Sequence, residues 1–378
     1  MDWLRCALPQ PNHTHAQALE KPFLQTQIEL GLLQALENPT HAGPTLSTWF
    51  RKNRKIGSRD RKIVAPAIYG IIRNEHFLQK AGFTTPQQQI KGWQSLLHGE
   101  TFSTVRNHNP IDDFATALSL PKQITQQWQQ KLSPQQCQKL AQIINIRAPQ
   151  YLRANPQKTT RKQLQQTLQD INIATEICPQ TNHGLKLLHP ANIIGNKSYQ
   201  NGEFEIQDLS SQRFIETLEI TSNMTVLDLC AGAGGKSLAM AALGAKVYAW
   251  DIRSNALTQL KKRTQRAGVN IQIGLPTNAD IVIVDAPCSG TGRLRREPTL
   301  RWRYKHTNLI QECITIQQEI LNKAQQYLHP TGEMIYSTCS ILEEENNHIP
   351  AGWTTIDSNW IWPQEDQGDG FFWRIMKK

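Results

Sequence analysis

Val226-Leu227-Asp228-Leu229-Cys230-Ala231-Gly232-Ala233-Gly234-Gly235-Lys236-Ser237 is an apolar run, a glycine-rich turn and the opening of a helix. Glycines let a backbone come close to a ligand, and the first N–H groups of a helix are free to meet a carboxylate or phosphate. Gly235-Lys236-Ser237 matches the end of a phosphate-binding P-loop, but that pattern requires glycine at position 230, where this chain has Cys230. A nucleoside-triphosphate site is disfavoured on that ground. Lys246 to Trp250 reads as the next strand, and Asp251 ends it. Its distance from Asp228 is close to the roughly 20 residues at which nucleotide-binding α/β folds set a carboxylate against ribose hydroxyls. A tight turn with two solvated acids would explain the glycines alone. Strand, loop, helix, strand and acid together favour a bound adenosine-type cofactor.

The alternation continues downstream. Asn255 to Ala267 reads as a helix, Ile281 to Asp285 as an apolar strand, Leu309 to Leu328 as a long helix and Glu333 to Ser337 as a strand. Such alternation implies parallel pairing in a doubly wound sheet. Upstream, Tyr151 to Asn155 and Gly202 to Gln207 read as strands and Thr160 to Leu168 as a helix, a small α/β subdomain. The first third reads as helical. Ile28, Leu32, Leu33 and Leu36 form a helix stripe. A second helix runs from Ser58, its expected N-cap, through Ile63, Val64, Ile68, Ile71 and Ile72. Pro66 should kink or divide it, and His98 to Asp113 reads as a loop. The expected fold is α/β, with a helical domain over 1–147, a small α/β subdomain over 148–220 and a doubly wound domain over 221–378.

At 378 residues the chain is too long for one ordinary domain. No window approaches the roughly 20 apolar residues of a spanning helix, and residues 1–20 lack the apolar core of a secretory signal. The seven cysteines show no paired CxxC spacing, so neither a disulfide scaffold nor a metal site is expected. A reducing, cytoplasmic setting follows. Lysine and arginine (41) exceed aspartate and glutamate (31), giving +10 and pointing to nucleic acid as the partner. The basic run Arg51 to Lys62 suits a solvated helix end or an RNA-backbone contact equally. Arg293-Leu294-Arg295-Arg296 and Arg301-Trp302-Arg303-Tyr304-Lys305 could be a basic surface loop. Their interleaving with aromatics favours contact with RNA.

Two cysteines stand at strand ends, Cys288 in Asp285-Ala286-Pro287-Cys288-Ser289-Gly290 and Cys339 in Ser337-Thr338-Cys339-Ser340. Residues just past the carboxyl ends of such strands line the ligand crevice. A lone cysteine is usually a small buried hydrophobe, the ordinary reading for Cys6, Cys137, Cys178, Cys230 and Cys313. A pair beside Asp285 suggests a nucleophile, and carbon 5 of cytosine reacts only after a nucleophile adds at carbon 6. This pair resembles the RNA cytosine-5 methyltransferases of the Nol/Nop/Sun family, and the Sun-type 16S ribosomal-RNA enzymes of bacteria above all. Ile206-Gln207-Asp208-Leu209-Ser210-Ser211-Gln212, Leu152-Arg153-Ala154-Asn155 and Asp369-Gly370-Phe371-Phe372 are similar to further family segments. Arg59-Asp60-Arg61-Lys62 with Ile68-Tyr69-Gly70 and Arg73 resembles a NusB-like helical RNA-binding domain at the front.

The resemblance implies a Rossmann-like methyltransferase domain using S-adenosylmethionine on RNA, with ribosomal RNA as substrate and a monomer expected. It implies that Cys339 adds to carbon 6, that Asp285 holds the N3 edge of the base and that Cys288 assists release of the adduct. The base that takes the carbon 5 proton stays open between Cys288 and water. Asp228, Cys230, Ala231, Gly232, Ala233, Gly234, Gly235 and Lys236 would line the cofactor together with Asp285, and Asp251 would meet its ribose. Family members usually carry another acid after the third strand; here Ile271 to Asp280 is short and Asp280 begins the next strand. A base-amino methyltransferase would want an Asn/Asp-Pro-Pro-aromatic turn where this chain has Asp285-Ala286-Pro287-Cys288. A ribosome-assembly factor without catalysis is the alternative from another class, and the presence of both cysteines argues against it.

Overall fold

A computed structural model describes residues 6–100, 110–365 and 367–378. The chain forms two compact units. One comprises the chain through Arg147 together with Ser289–Gln311, and the other comprises Ala148–Cys288 with Glu312–Lys378.

The first unit is helical. Three of its helices, Pro22–Leu36, Pro86–Leu97 and Pro134–Ile144, start with proline at the first position, where the missing N–H costs nothing. Thr85 with Gln88 and Ser133 with Gln136 close capping boxes on the last two. On the first, Leu24, Ile28, Leu32 and Ala35 are buried, whereas Leu33 and Leu36 are exposed, so the apolar stripe is narrower than its spacing suggested. The helix Ser58–Arg73 begins on Gly57, not on a Ser58 cap, and runs unbroken through Pro66. The carbonyl that loses its partner there belongs to Lys62, an exposed residue that water can satisfy. A helix also covers Pro110–Leu118, where a loop was expected; residues 101–109 of that stretch lie outside the described ones.

The inserted segment Ser289–Gln311 belongs wholly to this unit, and two of its arginines, Arg295 and Arg301, are buried. Arg301 is fully buried, donating from Nε to Leu118 O at 2.8 Å and from Nη1 to Leu294 O at 3.1 Å. Its Nη2 donates to Asn145 Oδ1 at 2.9 Å. Arg295 is buried too, and its carbonyl accepts from Arg73 Nη2 at 2.9 Å. Trp302 Nε1 and Lys305 Nζ both donate to Glu75 Oε2, at 2.9 and 2.6 Å. The expected RNA-facing loop is corrected at Arg295, Arg301, Trp302 and Tyr304, all below 10% exposed. The carbonyls of Leu118 and Leu294, with Asn145 Oδ1, supply the acceptors that make burying the Arg301 cation tolerable.

The second unit holds two sheets. Strands β1 (Tyr151–Ala154), β2 (Thr175–Ile177), β3 (Gly184–Leu187) and β4 (Phe204–Ile206) form an antiparallel sheet in the order β2-β3-β1-β4. The helix Arg161–Gln169 lays Leu164 and Leu168 into a core with Leu152, Ala154, Leu185 and Phe204. The larger sheet contains β5 (Thr225–Asp228), β6 (Lys246–Ala249), β7 (Ile271–Ile273), β8 (Ala279–Asp285), β9 (Leu328–Thr338), β10 (Thr354–Ile361) and β11 (Phe371–Lys377). Its order is β10-β11-β9-β8-β5-β6-β7, parallel from β7 to β9 and antiparallel where β11 joins β9 and β10.

Alternate strand residues feed two cores. Val226, Ile281, Ile283, Ile335 and Trp373 pack under the helices Leu209–Glu216, Gly235–Ala242 and Ser254–Ala267. Leu227, Val282, Val284, Met334 and Phe372 pack with Leu321 and Ala324 of the helix Leu309–Ala324. Both faces are therefore covered, the condition under which parallel strands read as unbroken apolar runs.

Candidate active site

The carboxyl ends of β5, β6, β8 and β9 bring the chemistry together. After β5 the chain turns through Gly232 and Gly234, both with positive φ (+54° and +84°), into the helix Gly235–Ala242. A side chain at Gly234 would place its Cβ 2.7 Å from Leu260 Cδ1, so the loop needs glycine there for space as well as for conformation. Asp228 ends β5 at 1% exposure; Ser237 Oγ donates to its Oδ2 at 2.6 Å, while its Oδ1 has no partner. Burial pushes this carboxyl up to about 6, against the pull of the Ser237 bond. Cys230 is likewise pushed well up, by burial and then by neighbouring carboxylates, and stays a thiol.

From the small sheet, Arg153 Nε donates to Gln207 Oε1 at 2.6 Å, and Gln207 Nε2 to Gly235 O at 3.1 Å. Glu205, also in that sheet, pairs with Arg263 at 2.9 Å and Arg266 at 2.5 Å. Arg263 Nη1 in turn donates to Ala233 O at 2.7 Å. The glycine loop is thus clamped by side chains from the subdomain that precedes it. Neither Glu205 nor Arg263 was visible in the sequence as a site residue, because nothing local signals a buried ion pair.

Asp251 follows β6. Its Oδ2 accepts from Gly232 N at 2.7 Å, and Arg253 donates to both oxygens at 2.9 and 3.1 Å. Burial raises this carboxyl, but the bonds from Arg253 and Gly232 outweigh it and hold the group below its ordinary value. Arg253 makes this pair from the surface, its side chain 66% exposed against 5% for Asp251. Ile252 beside it is 83% exposed, an apolar surface at a strand end that only the fold reveals. Asp280 lies within β8 and accepts from Thr225 N at 2.8 Å.

Lys236 Nζ donates to Asp285 Oδ2 at 2.5 Å and lies 5.2 Å from the centre of the Phe371 ring. Burial works to lower Lys236, but the charge and bond of Asp285, with the charge of Asp228, more than offset it and raise the group. Ser337 Oγ donates to Asp285 Oδ1 at 3.0 Å. Just beyond, Cys288 Sγ and Cys339 Sγ are 3.2 Å apart, both half-buried and neither in a disulfide. The bond to Cys339 raises the Cys288 thiol most, followed by burial and the charges of Cys339, Glu345 and Asp285. The structure brings Asp285, Cys288, Cys339 and Lys236 into one cluster, with the glycine loop and Asp251 at the adjacent strand ends.

Residues 215–353 match the family model described as 16S rRNA methyltransferase RsmB/F, and residues 120–194 match the ferredoxin-like domain of RsmF/B-like methyltransferases. Over these two segments the chain is similar to the RsmB/F methyltransferases. Its relatives include a ribosomal RNA small subunit methyltransferase B from Cronobacter sakazakii, 31% identical over 273 residues. That match covers 65% of this chain and 63% of the relative, so the chain spans less than two thirds of that protein's length. Among solved structures, one titled PH0851 has a TM-score of 0.74 at 19% identity, covering 94% of this chain and 98% of its own. NSun6 from Pyrococcus horikoshii, solved with SFG, has a TM-score of 0.62 at 17% identity, covering 69% and 98%. At these identities the likeness shows that the chain shares the fold of both. Among the described residues, no helix is long and apolar enough to cross a membrane.

Proposed function

We propose that this protein methylates carbon 5 of a cytosine in ribosomal RNA, with S-adenosylmethionine as methyl donor, and that it works in the cytoplasm. The observation that carries the proposal is the pair of sulfurs 3.2 Å apart beside the Lys236–Asp285 ion pair. The donor fits the glycine loop: Gly232 and Gly234 leave an open backbone, the helix Gly235–Ala242 begins there, and Asp228 keeps a buried oxygen without partner. Asp251 and the exposed Ile252 suit a ribose and an apolar ring. The donor supplies an electrophilic methyl group.

Cys339 acts as the nucleophile. Cys288 is held as a thiol, and its sulfur lies 3.2 Å from that of Cys339, within hydrogen-bond reach. The Cys339 thiolate forms a bond to carbon 6, and the electrons of the carbon 5–carbon 6 double bond move toward the N3 edge. Asp285, neutralised by Lys236 and fixed by Ser337, holds that edge and orients the ring. Carbon 5 then gains the methyl group, a base removes its proton, and the electron pair of that C–H bond expels Cys339, with Cys288 assisting. The target base must leave its stack to reach the cysteines.

Cys339→Ala tests the reading: methylation of unmodified 16S RNA should be abolished, and a retained rate would remove Cys339 as nucleophile. Cys288→Ala should accumulate a covalent RNA–protein band on a denaturing gel. Free turnover without that band would take Cys288 out of the release step.

A further inference from the structure

The last ladder bond between β8 and β9 near the site is Ala286 N to Ser337 O at 2.9 Å. Cys288 and Cys339 both lie beyond it, so the sheet no longer sets the distance between their loops. A side chain from a third element ties them. Gln317 is fully buried on the helix Leu309–Ala324, and its Nε2 donates to Pro287 O at 2.9 Å and to Glu345 Oε1 at 3.1 Å. The Pro287 carbonyl belongs to the peptide bond leading into Cys288. Glu345 is fully buried, and its other oxygen accepts a short bond from Ser340 Oγ, next to Cys339. Tyr336 OH donates to Glu345 O at 2.6 Å, and Asn346 Nδ2 to Ser340 O at 3.0 Å, so the loop after Cys339 is built on the residues around Glu345.

Both partners of Gln317 are acceptors, which requires the amide nitrogen, with its two hydrogens, to face them. Its Oε1 is left buried without a partner. An orphaned oxygen of that kind is a cost that a core of leucine or methionine would not carry.

We propose that Gln317 is a positioning residue for the two-cysteine site, an amide clamp that sets the 3.2 Å separation of the Cys288 and Cys339 sulfurs from the helix behind them. The proposal rests on the methyltransferase reading above. The clamp matters for release, because addition needs Cys339 alone whereas departure of the product needs Cys288 at the same place. The Glu345 carboxylate that the clamp orients also helps, after Cys339 and burial, to keep Cys288 a thiol.

The test uses the full chain, unmodified 16S RNA transcribed in vitro and radiolabelled S-adenosylmethionine. Gln317→Met keeps the length and removes both donors; Gln317→Glu keeps the shape and sets an acceptor against two acceptors. In both, kcat should fall about tenfold, the loss expected from a small misplacement of reacting groups. KM should stay within about twofold, and the covalent RNA–protein band per turnover should rise several-fold, approaching Cys288→Ala. Should Gln317→Met fold poorly, the ratio of band to turnover in the folded fraction of Gln317→Glu decides the matter. A ratio equal to wild type, with activity falling only as folded protein falls, would overturn the clamp and leave Gln317 a packing residue. Failure of the wild-type chain to transfer any label to the RNA would instead bring down the methyltransferase reading itself, whatever Gln317 does.

Discussion

The carboxylate of Asp228 lies inside the fold with one oxygen on Ser237 and the other on nothing, and replacing it with asparagine separates its structural cost from its use. Its carboxyl sits at about 6 in the folded chain against 3.8 in the open one. Between those values the folded state binds more protons than the unfolded, so stability falls as pH rises through that window and the full penalty is present at neutral pH. At about 1.4 kcal/mol per pH unit the penalty is about 3 kcal/mol. Asp228→Asn keeps an oxygen for Ser237 but puts an NH2 where Oδ1 has no partner, which returns about 1–2 kcal/mol of that gain. The variant should therefore be more stable by about 1–2 kcal/mol at pH 7.5, and its advantage should shrink by about 2 kcal/mol at pH 4.5. Urea unfolding followed by tryptophan fluorescence at both pH values measures it. Calorimetry with S-adenosylmethionine should show weaker binding in the same variant, a stability gain bought at a functional position. A variant less stable at pH 7.5, or a difference that does not change with pH, would refute the reasoning.

Four further outcomes follow from packing and surface charge. Gly202 has φ +71° and faces a backbone oxygen, Arg266 O, only 1.9 Å from where a Cβ would sit, so Gly202→Ala should cost more than about 3 kcal/mol, read as a lowered Tm. Lys236→Met breaks an ion pair whose side chains are 12% and 29% exposed, and part-hydration of Asp285 reduces the usual cost to about 2 kcal/mol. Since Lys236 is raised, its stabilisation is complete below about 10.4 and lost only above the folded value, so the difference between wild type and variant should be flat from about pH 6 to 9. Arg301→Met should lose about 3 kcal/mol of stability yet leave the salt dependence of RNA binding unchanged, because the guanidinium is spent on internal carbonyls. Neutralising the exposed Arg54, Lys55 and Arg59 together should instead lower that salt slope, as measured by filter binding.

β5, β6, β8 and β9 could be read in advance because a strand covered on both faces is largely apolar, as Val226-Leu227 and Ile281 to Val284 are. The glycine turn after β5 was equally legible, since positive φ and close packing on Leu260 both demand glycine. β10 was missed: six of its eight residues are exposed, and an edge strand facing solvent shows no apolar signal.

What the sequence determined by itself was the class of fold and the residue types at its strand ends, since local pattern and backbone conformation depend on neighbours along the chain. What tertiary structure alone decided were meetings across long separations. Arg301 turned inward because Leu118 O, 183 residues away, was there to accept from it. Two cysteines 51 positions apart came to 3.2 Å, and Gln317, one glutamine among many, became their tie. A side chain's exposure and partners depend on which distant carbonyls and carboxylates reach it, and a linear pattern carries no record of that distance.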